Sequence, residues 1–205
     1  FTNGEDENSL LSGFKIKNGS GTNNQHNWPQ GGGVLIIGSS PNLQNLIISN
    51  NHTGESGYGG GIYIISSQSL LVNLIIENNS SGSEGAGLYA ESSNFEIHNS
   101  EIKSNDGNGG LVLFGSSNPL ISHCIITDNY SSGVRIRNYS NPIIKNSLII
   151  DNTAFNVGSG IYIEDHSYPL IENCFVKNNP TIYSNFYSNI VIVAQSDALI
   201  RNSIV

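Results

Sequence analysis

The chain has 205 residues, a formal net charge of −8 and only 12% charged side chains, about half the usual share, with 30 Asn and 23 Gly in their place. It holds no run of Lys or Arg and no apolar stretch near the roughly 18 residues of a spanning helix, so neither nucleic acid nor membrane insertion is expected. Ile, Leu and Val are too many and too evenly spaced for a disordered chain.

The first segment, "FTNGEDENSLLSGFKIKNG" (1–19), sets Leu11 and Ile16 on either side of Gly13. A long loop follows, "GSGTNNQHNWPQGGG" (19–33), carrying His26 and the single Trp, Trp28. "GGGVLII" then alternates Val34 and Ile36 with other residues, the period-two pattern of a strand with one buried face. After it comes "LQN", and from Asn45 onward a unit recurs. Its anchors are Asn45, Asn73, Asn99, His123, Asn146, Asn173 and Asn202, spaced 23 to 29 residues apart.

Within each unit the spacing is fixed. Two residues before the anchor stand Leu43, Leu71, Ile97, Ile121, Ile144, Ile171 and Ile200. Three after it come Ile48, Ile76, Ile102, Ile126, Ile149, Val176 and Val205. Six after it, Asn51, Asn79, Asn105, Asn129, Asn152 and Asn179 form an unbroken column. Glycines and a third alternating segment follow ("GGGIYII", "GAGLYAE", "GGLVLFG", "SGVRIRN", "GSGIYIE", "YSNIVIV"). Constant strands joined by loops of unequal length are the mark of a solenoid.

These repeats predict an all-β fold: a single-stranded parallel β-helix of about seven coils, three short strands per coil and no long helix. One coil buries roughly five aliphatic side chains, too few to offset the ordering of about 25 residues, so coils must stack. A stacked Asn can bond the backbone and the Asn one coil on, and it tolerates left-handed backbone. The glycines are assigned to the sharp turn into the next strand. Cys124 and Cys174 point inward two coils apart, roughly 9–10 Å, too far for a disulfide. They fit no metal signature either, and no cofactor or metal site is expected. The chain is expected to be one domain over 1–205. Because it starts in mid-pattern and stops at "RNSIV" partway through a coil, it is read as an excised piece of a longer secreted chain. The rest of that chain, or another copy, is expected to cover both incomplete ends.

"SNPLISHCIITDN" (117–129), "SYPLIENCFVKNN" (167–179) and "GGGIYI" (59–64) resemble the right-handed parallel β-helices of the pectate-lyase-like superfamily. More narrowly they resemble the Asn-rich repeats of secreted and surface-anchored bacterial proteins. The resemblance spans nearly the whole chain and implies a bacterial secreted or cell-surface location. It implies no single activity, since the superfamily includes lyases, polygalacturonases, epimerases, adhesins and stalks. The catalytic motifs of those enzymes are mostly missing. Only Asp165–His166 matches the pectate-lyase run, and it precedes "SYP" in a predicted turn. "DNTA" (151–154) lacks the acid of the polygalacturonase motif, and "GYGGG" (57–61) lacks the Asp-Pro-His that follows in alginate epimerases.

In the enzymes of this superfamily the outward face of the post-glycine strands forms the sugar groove. Here that face carries Tyr63, Tyr89, Arg135, Arg137, Tyr162 and Glu164. Tyr rings stack on sugars and Arg pairs with carboxylates, so this face and Trp28 are the candidate site for an acidic polysaccharide. Read structurally, the same residues only suit a pleated surface, with Arg137 beside Glu164 on the next coil. His98 and His52 fall on outward positions and His123 replaces an anchor Asn. A second outward column, Ile47, Ile75, Ile125, Leu148, Phe175 and Ile204, is apolar, broken by Lys15 and Glu101. The functional expectation is an extracellular stalk or adhesion module, non-catalytic, binding polysaccharide on a flat face. The alternative is a polysaccharide lyase or epimerase whose catalytic residues lie in loops or in missing coils.

Overall fold

The computed structural model describes residues 1–26, 28–155, 158–182 and 189–205. Three parallel sheets run along it, of eight, seven and seven strands. The first starts at Leu10–Ser12 and ends at Leu199–Arg201, the second runs from Lys15–Lys17 to Phe175–Lys177, and the third from Val34–Ile37 to Ile190–Ile192. In each, spatial order follows chain order, so the chain visits the three sheets in rotation. The seven strands of the third sheet bound about six full turns, close to the seven expected, and no helix occurs among the described residues. Residues 187–188 of the last alternating segment, "YSNIVIV", lie outside the described residues.

The aliphatic columns are in register. Leu43, Leu71, Ile97, Ile121, Ile144 and Ile171 pair in sequence down the first sheet. Ile48, Ile76, Ile102, Ile126, Ile149 and Val176 do so down the second. With Ile36, Ile64, Ala90, Leu113, Ile136 and Ile163 of the third they form one continuous core. The outward apolar column of the second sheet is also in register, and its members range from half-buried to exposed.

The two Asn columns do different work. The anchors Asn45, Asn73, Asn99, His123, Asn146, Asn173 and Asn202 all have φ between 50° and 56°, as has Gly13 at 80° in the first coil. They make the corner between the first and second sheets, where Asn or Gly is favoured. The later column is buried and has another role. Asn51 Nδ2 donates to Asn79 Oδ1 at 3.0 Å, and the same contact repeats through Asn105, Asn129, Asn152 and Asn179. Each of these side chains also takes a backbone N–H from the previous coil, that of Gly19 at Asn51 and that of the previous Asn from Asn79 on. Each donates as well to a carbonyl of the previous coil's second-sheet strand. Buried backbone groups at this corner are satisfied by side chains.

The glycine assignment needs a correction. Gly31, Gly59 and Gly85 have φ between 60° and 66° and do make the sharp turn. The last glycine of each group does not. A Cβ on Gly33, Gly61, Gly87, Gly133 or Gly160 would lie 2.7–3.0 Å from the Nδ2 of the neighbouring ladder Asn, and one on Gly110 would lie 2.5 Å from Asn129 Cγ. These residues are glycine because the Asn ladder, together with a backbone carbonyl of the next coil that lies 2.3–2.6 Å from the Cβ position at Gly61, Gly87 and Gly160, occupies the space a side chain would need.

A serine ladder not anticipated from the sequence closes the corner before the first sheet. Ser67, Ser93, Ser117, Ser140 and Ser167 each donate a backbone N–H to the Oγ of the next serine in the stack, at 2.9–3.2 Å. One residue after each anchor, Leu46, Leu74, Ser100, Cys124, Ser147, Cys174 and Ser203 share an inward position. Both thiols are free and buried, as expected. Burial pushes the Cys124 thiol up to about 11 and raises that of Cys174. The folded protein is therefore expected to react with no thiol reagent at pH 8. Denaturation without reductant should expose two reactive thiols, counted by mass or absorbance, and a count of zero would show a disulfide.

Candidate functional site

The loop after the first coil folds as a hairpin, with Thr22–Asn23 antiparallel to Pro29–Gln30. Asn24 closes it: its Oδ1 accepts the N–H of His26 at 2.9 Å and of Trp28 at 3.0 Å, while its own N–H donates to the Trp28 carbonyl. Asn27, in the same loop, lies outside the described residues. The hairpin holds Trp28, 44% exposed, with its ring 6.3 Å from Tyr58 and 5.4 Å from His26.

From Tyr58 an aromatic row continues onto the third sheet. Tyr58 meets Tyr89 at 5.0 Å, Tyr89 stacks on Tyr63 at 5.4 Å and on Phe114 at 6.4 Å, and the Arg137 guanidinium lies 5.4 Å over Phe114. Tyr63 and Tyr89 are not on an open face, as the alternation implied. They are 3% and 4% exposed. They form a small apolar cluster with Val112, against which Tyr58, Ile65 and Phe114 lie. Desolvation, reinforced by Glu91, raises both phenol pKa values well above the ordinary range.

Nor is the face flat. Between the hairpin, the third sheet and the short strand Ser80–Glu84 lies a cleft of about 530 Å³, within the usual size of a small-molecule site. Its walls combine Trp28, Tyr58 and Phe114 with Gln30, Ser83 and Glu91. Tyr58 and Glu84 belong to the site and were missed, because both lie in the variable stretch before the strand, outside the alternating pattern.

The arginines are not free cations. Glu84 Oε1 accepts from Arg135 Nη1 at 2.9 Å and from Arg137 Nη1 at 2.7 Å. Glu164 Oε1 accepts from Arg135 Nε at 2.9 Å and Nη2 at 2.6 Å, and Arg137 Nε lies 3.7 Å from it. The expected neighbour Glu164 is therefore present, but Arg135 makes the closer bond. Glu84 reaches these arginines from two coils away, over the small residues Gly109 and Val112. Arg135 also lies 5.6 Å over the half-buried Tyr162. The network ties the wall strand Ser80–Glu84 to the sheet, and it leaves Arg137 as the cleft's only lining cation among the described residues.

The remaining candidates have local roles. Asp165 and His166 have φ of 55° and 61°, and the imidazole stacks on Tyr139 at 5.1 Å, which makes them a turn. His123 keeps the anchor conformation, with Nε2 3.4 Å from Asn146 Nδ2. His98 bonds Glu96 at 2.8 Å and Ser122 at 2.6 Å. No group of three or more His, Cys, Asp or Glu is placed to hold a metal ion among the described residues.

No curated protein and no solved structure matches the chain significantly. One family does, described as "right handed beta helix region", and its match covers residues 32–205. Continuous parallel sheets, unbroken inward columns and this match agree: the chain belongs to the right-handed β-helix family.

Proposed function

We propose that this protein is a secreted or cell-surface β-helical module that binds polysaccharide without cleaving it, in the cleft beneath the Trp28 hairpin. One observation carries the reading: five aromatic rings, Trp28, Tyr58, Tyr63, Tyr89 and Phe114, line one groove beside hydrogen-bonding side chains. Sugar rings present an apolar face and a polar rim, and such a groove offers partners for both. The buried Tyr63 and Tyr89 form its floor, and the more exposed Trp28 is the ring best able to cover a bound sugar. The stalk role rests on the solenoid itself, which extends by adding coils and offers a long surface for weak, repeated contacts.

Titration calorimetry with a panel of plant and microbial polysaccharides tests the reading. Trp28→Ala should weaken binding about tenfold or more, the loss of about 1.4 kcal/mol. Tyr168→Ala, at an exposed position on the opposite turn, should change nothing. Shortened or unsaturated products in the same mixtures would overturn the non-catalytic reading in favour of a lyase or hydrolase. Binding that ignores Trp28 and Tyr58 would remove the site from this cleft.

A further inference from the structure

We infer that the cleft selects neutral glycans and rejects uronic-acid chains, an inference that rests on the cleft being a glycan site. Tyr and Arg side by side suggest the opposite, an acidic ligand. The geometry weakens that attraction, because Arg135 is bonded to Glu84 and Glu164 and Arg137 Nη1 to Glu84. Of the buried guanidinium nitrogens among the described residues, only Arg137 Nε is left without a hydrogen-bond partner. Around the two arginines stand Glu84, Glu164 and Asp165, the last 3.9 Å from Arg137 Nε. On the cleft wall itself Glu91 adds a second carboxylate beside Glu84, against Arg137, the one lining cation among the described residues. Negative groups thus outnumber positive ones around the cleft.

Glu91 decides the sign. It has no ion-pair partner among the described residues, and the contact it makes is with the Tyr63 hydroxyl, which donates to Oε2 at 3.2 Å. Its other oxygen can accept from a ligand. A carboxylate beside an aromatic wall is suited to accept from the hydroxyls of a neutral pyranose, in charge-assisted bonds stronger than neutral ones. A uronate carboxylate there would meet like charge in a partly desolvated groove, which disfavours binding. To bind Arg137 instead, the only cation lining the cleft among the described residues, it would have to compete with Glu84, which already accepts from Arg137 Nη1 at 2.7 Å.

The test compares neutral hexasaccharides (cellohexaose, xylohexaose, mannohexaose) with hexagalacturonate and hexaguluronate on the intact chain. At low salt at least one neutral ligand should bind about tenfold or more tighter than either uronate. Raising salt should leave the neutral affinity unchanged and narrow the gap by screening the repulsion. Glu91→Gln, nearly isosteric and half-exposed, should weaken the neutral ligand and improve the uronates. Uronates that bind more tightly at low salt, lose affinity as salt rises and depend on Trp28 would overturn the selectivity and leave the glycan site standing. If no oligosaccharide responds to Trp28→Ala, the site itself is refuted.

Discussion

Replacing Asn129 by Ala is expected to lower stability by about 4 kcal/mol and the melting temperature by roughly 10 °C. Its Oδ1 accepts the N–H of Asn105 at 3.1 Å and the Nδ2 of Asn105 at 2.9 Å. Its Nδ2 donates to the carbonyls of Ile102 and Thr127 and to Asn152 Oδ1, at 2.9–3.0 Å. All of this lies in a corner closed to water, so the loss strands buried donors and acceptors rather than returning them to solvent. Asn146, the same residue type in the other column, gives the contrast. It is exposed and matters for its φ of 52°, so Asn146→Gly should cost well under 1 kcal/mol. Thermal unfolding with hydrogen exchange across residues 100–155 checks both. Equal effects at the two positions would mean that the ladder contributes nothing beyond its backbone shape.

Gly110→Ala is expected to cost about 3 kcal/mol, through the ladder rather than through backbone conformation. The added methyl would lie 2.5–2.8 Å from three side-chain atoms of Asn129, and an Asn held by five hydrogen bonds has nowhere to go. The two sites should therefore be strongly non-additive. In an Asn129→Ala background the clash disappears, and Gly110→Ala should cost about 1 kcal/mol or less. The resulting coupling, about 2 kcal/mol or more, is well above the scatter for independent sites. Additive effects within 0.5 kcal/mol of each other would show that Gly110 is required for another reason.

The columns were legible because each coil repeats the same constraint. An inward position must be aliphatic in every coil, and a left-handed corner must be Asn or Gly, so Ile76, Ile102 and Asn99 announce themselves by spacing alone. The Gly–Asn pairing was half legible: both columns could be seen, but not that one fills the space the other leaves. The cleft was least legible, because it is built from what breaks the repeat. Trp28 stands out as the lone Trp in the longest loop. Tyr58 and Glu84 do not, since each sits where the pattern is free to vary. The alternation correctly put Tyr63, Tyr89, Arg135 and Arg137 on the outward face. Outward does not mean exposed once a hairpin and a short strand lie over that face, and two arginines do not make a basic site when a glutamate two coils away reaches them.

The Asn ladder also has an arrow. Backbone bonds between coils run in both directions, forward from Asn45 to Val72 and backward from Ile75 to Leu46, so their dipoles largely cancel, as is usual in sheets. The side-chain amides do not alternate. In the Asn–Asn bonds from Asn51 to Asn179 every Nδ2 donates to the Oδ1 of the following coil, while the same amides also donate back to a carbonyl of the preceding coil. Such a chain polarises itself, and rungs in its middle, with neighbours on both sides, gain more than those near its ends. It is also directional as a template. A coil added in the same sense meets amide hydrogen with carbonyl oxygen, whereas an inverted one sets oxygen against oxygen at one end of the ladder or amide hydrogen against amide hydrogen at the other. Any stack that continues this ladder, within one chain or between copies, must run head to tail.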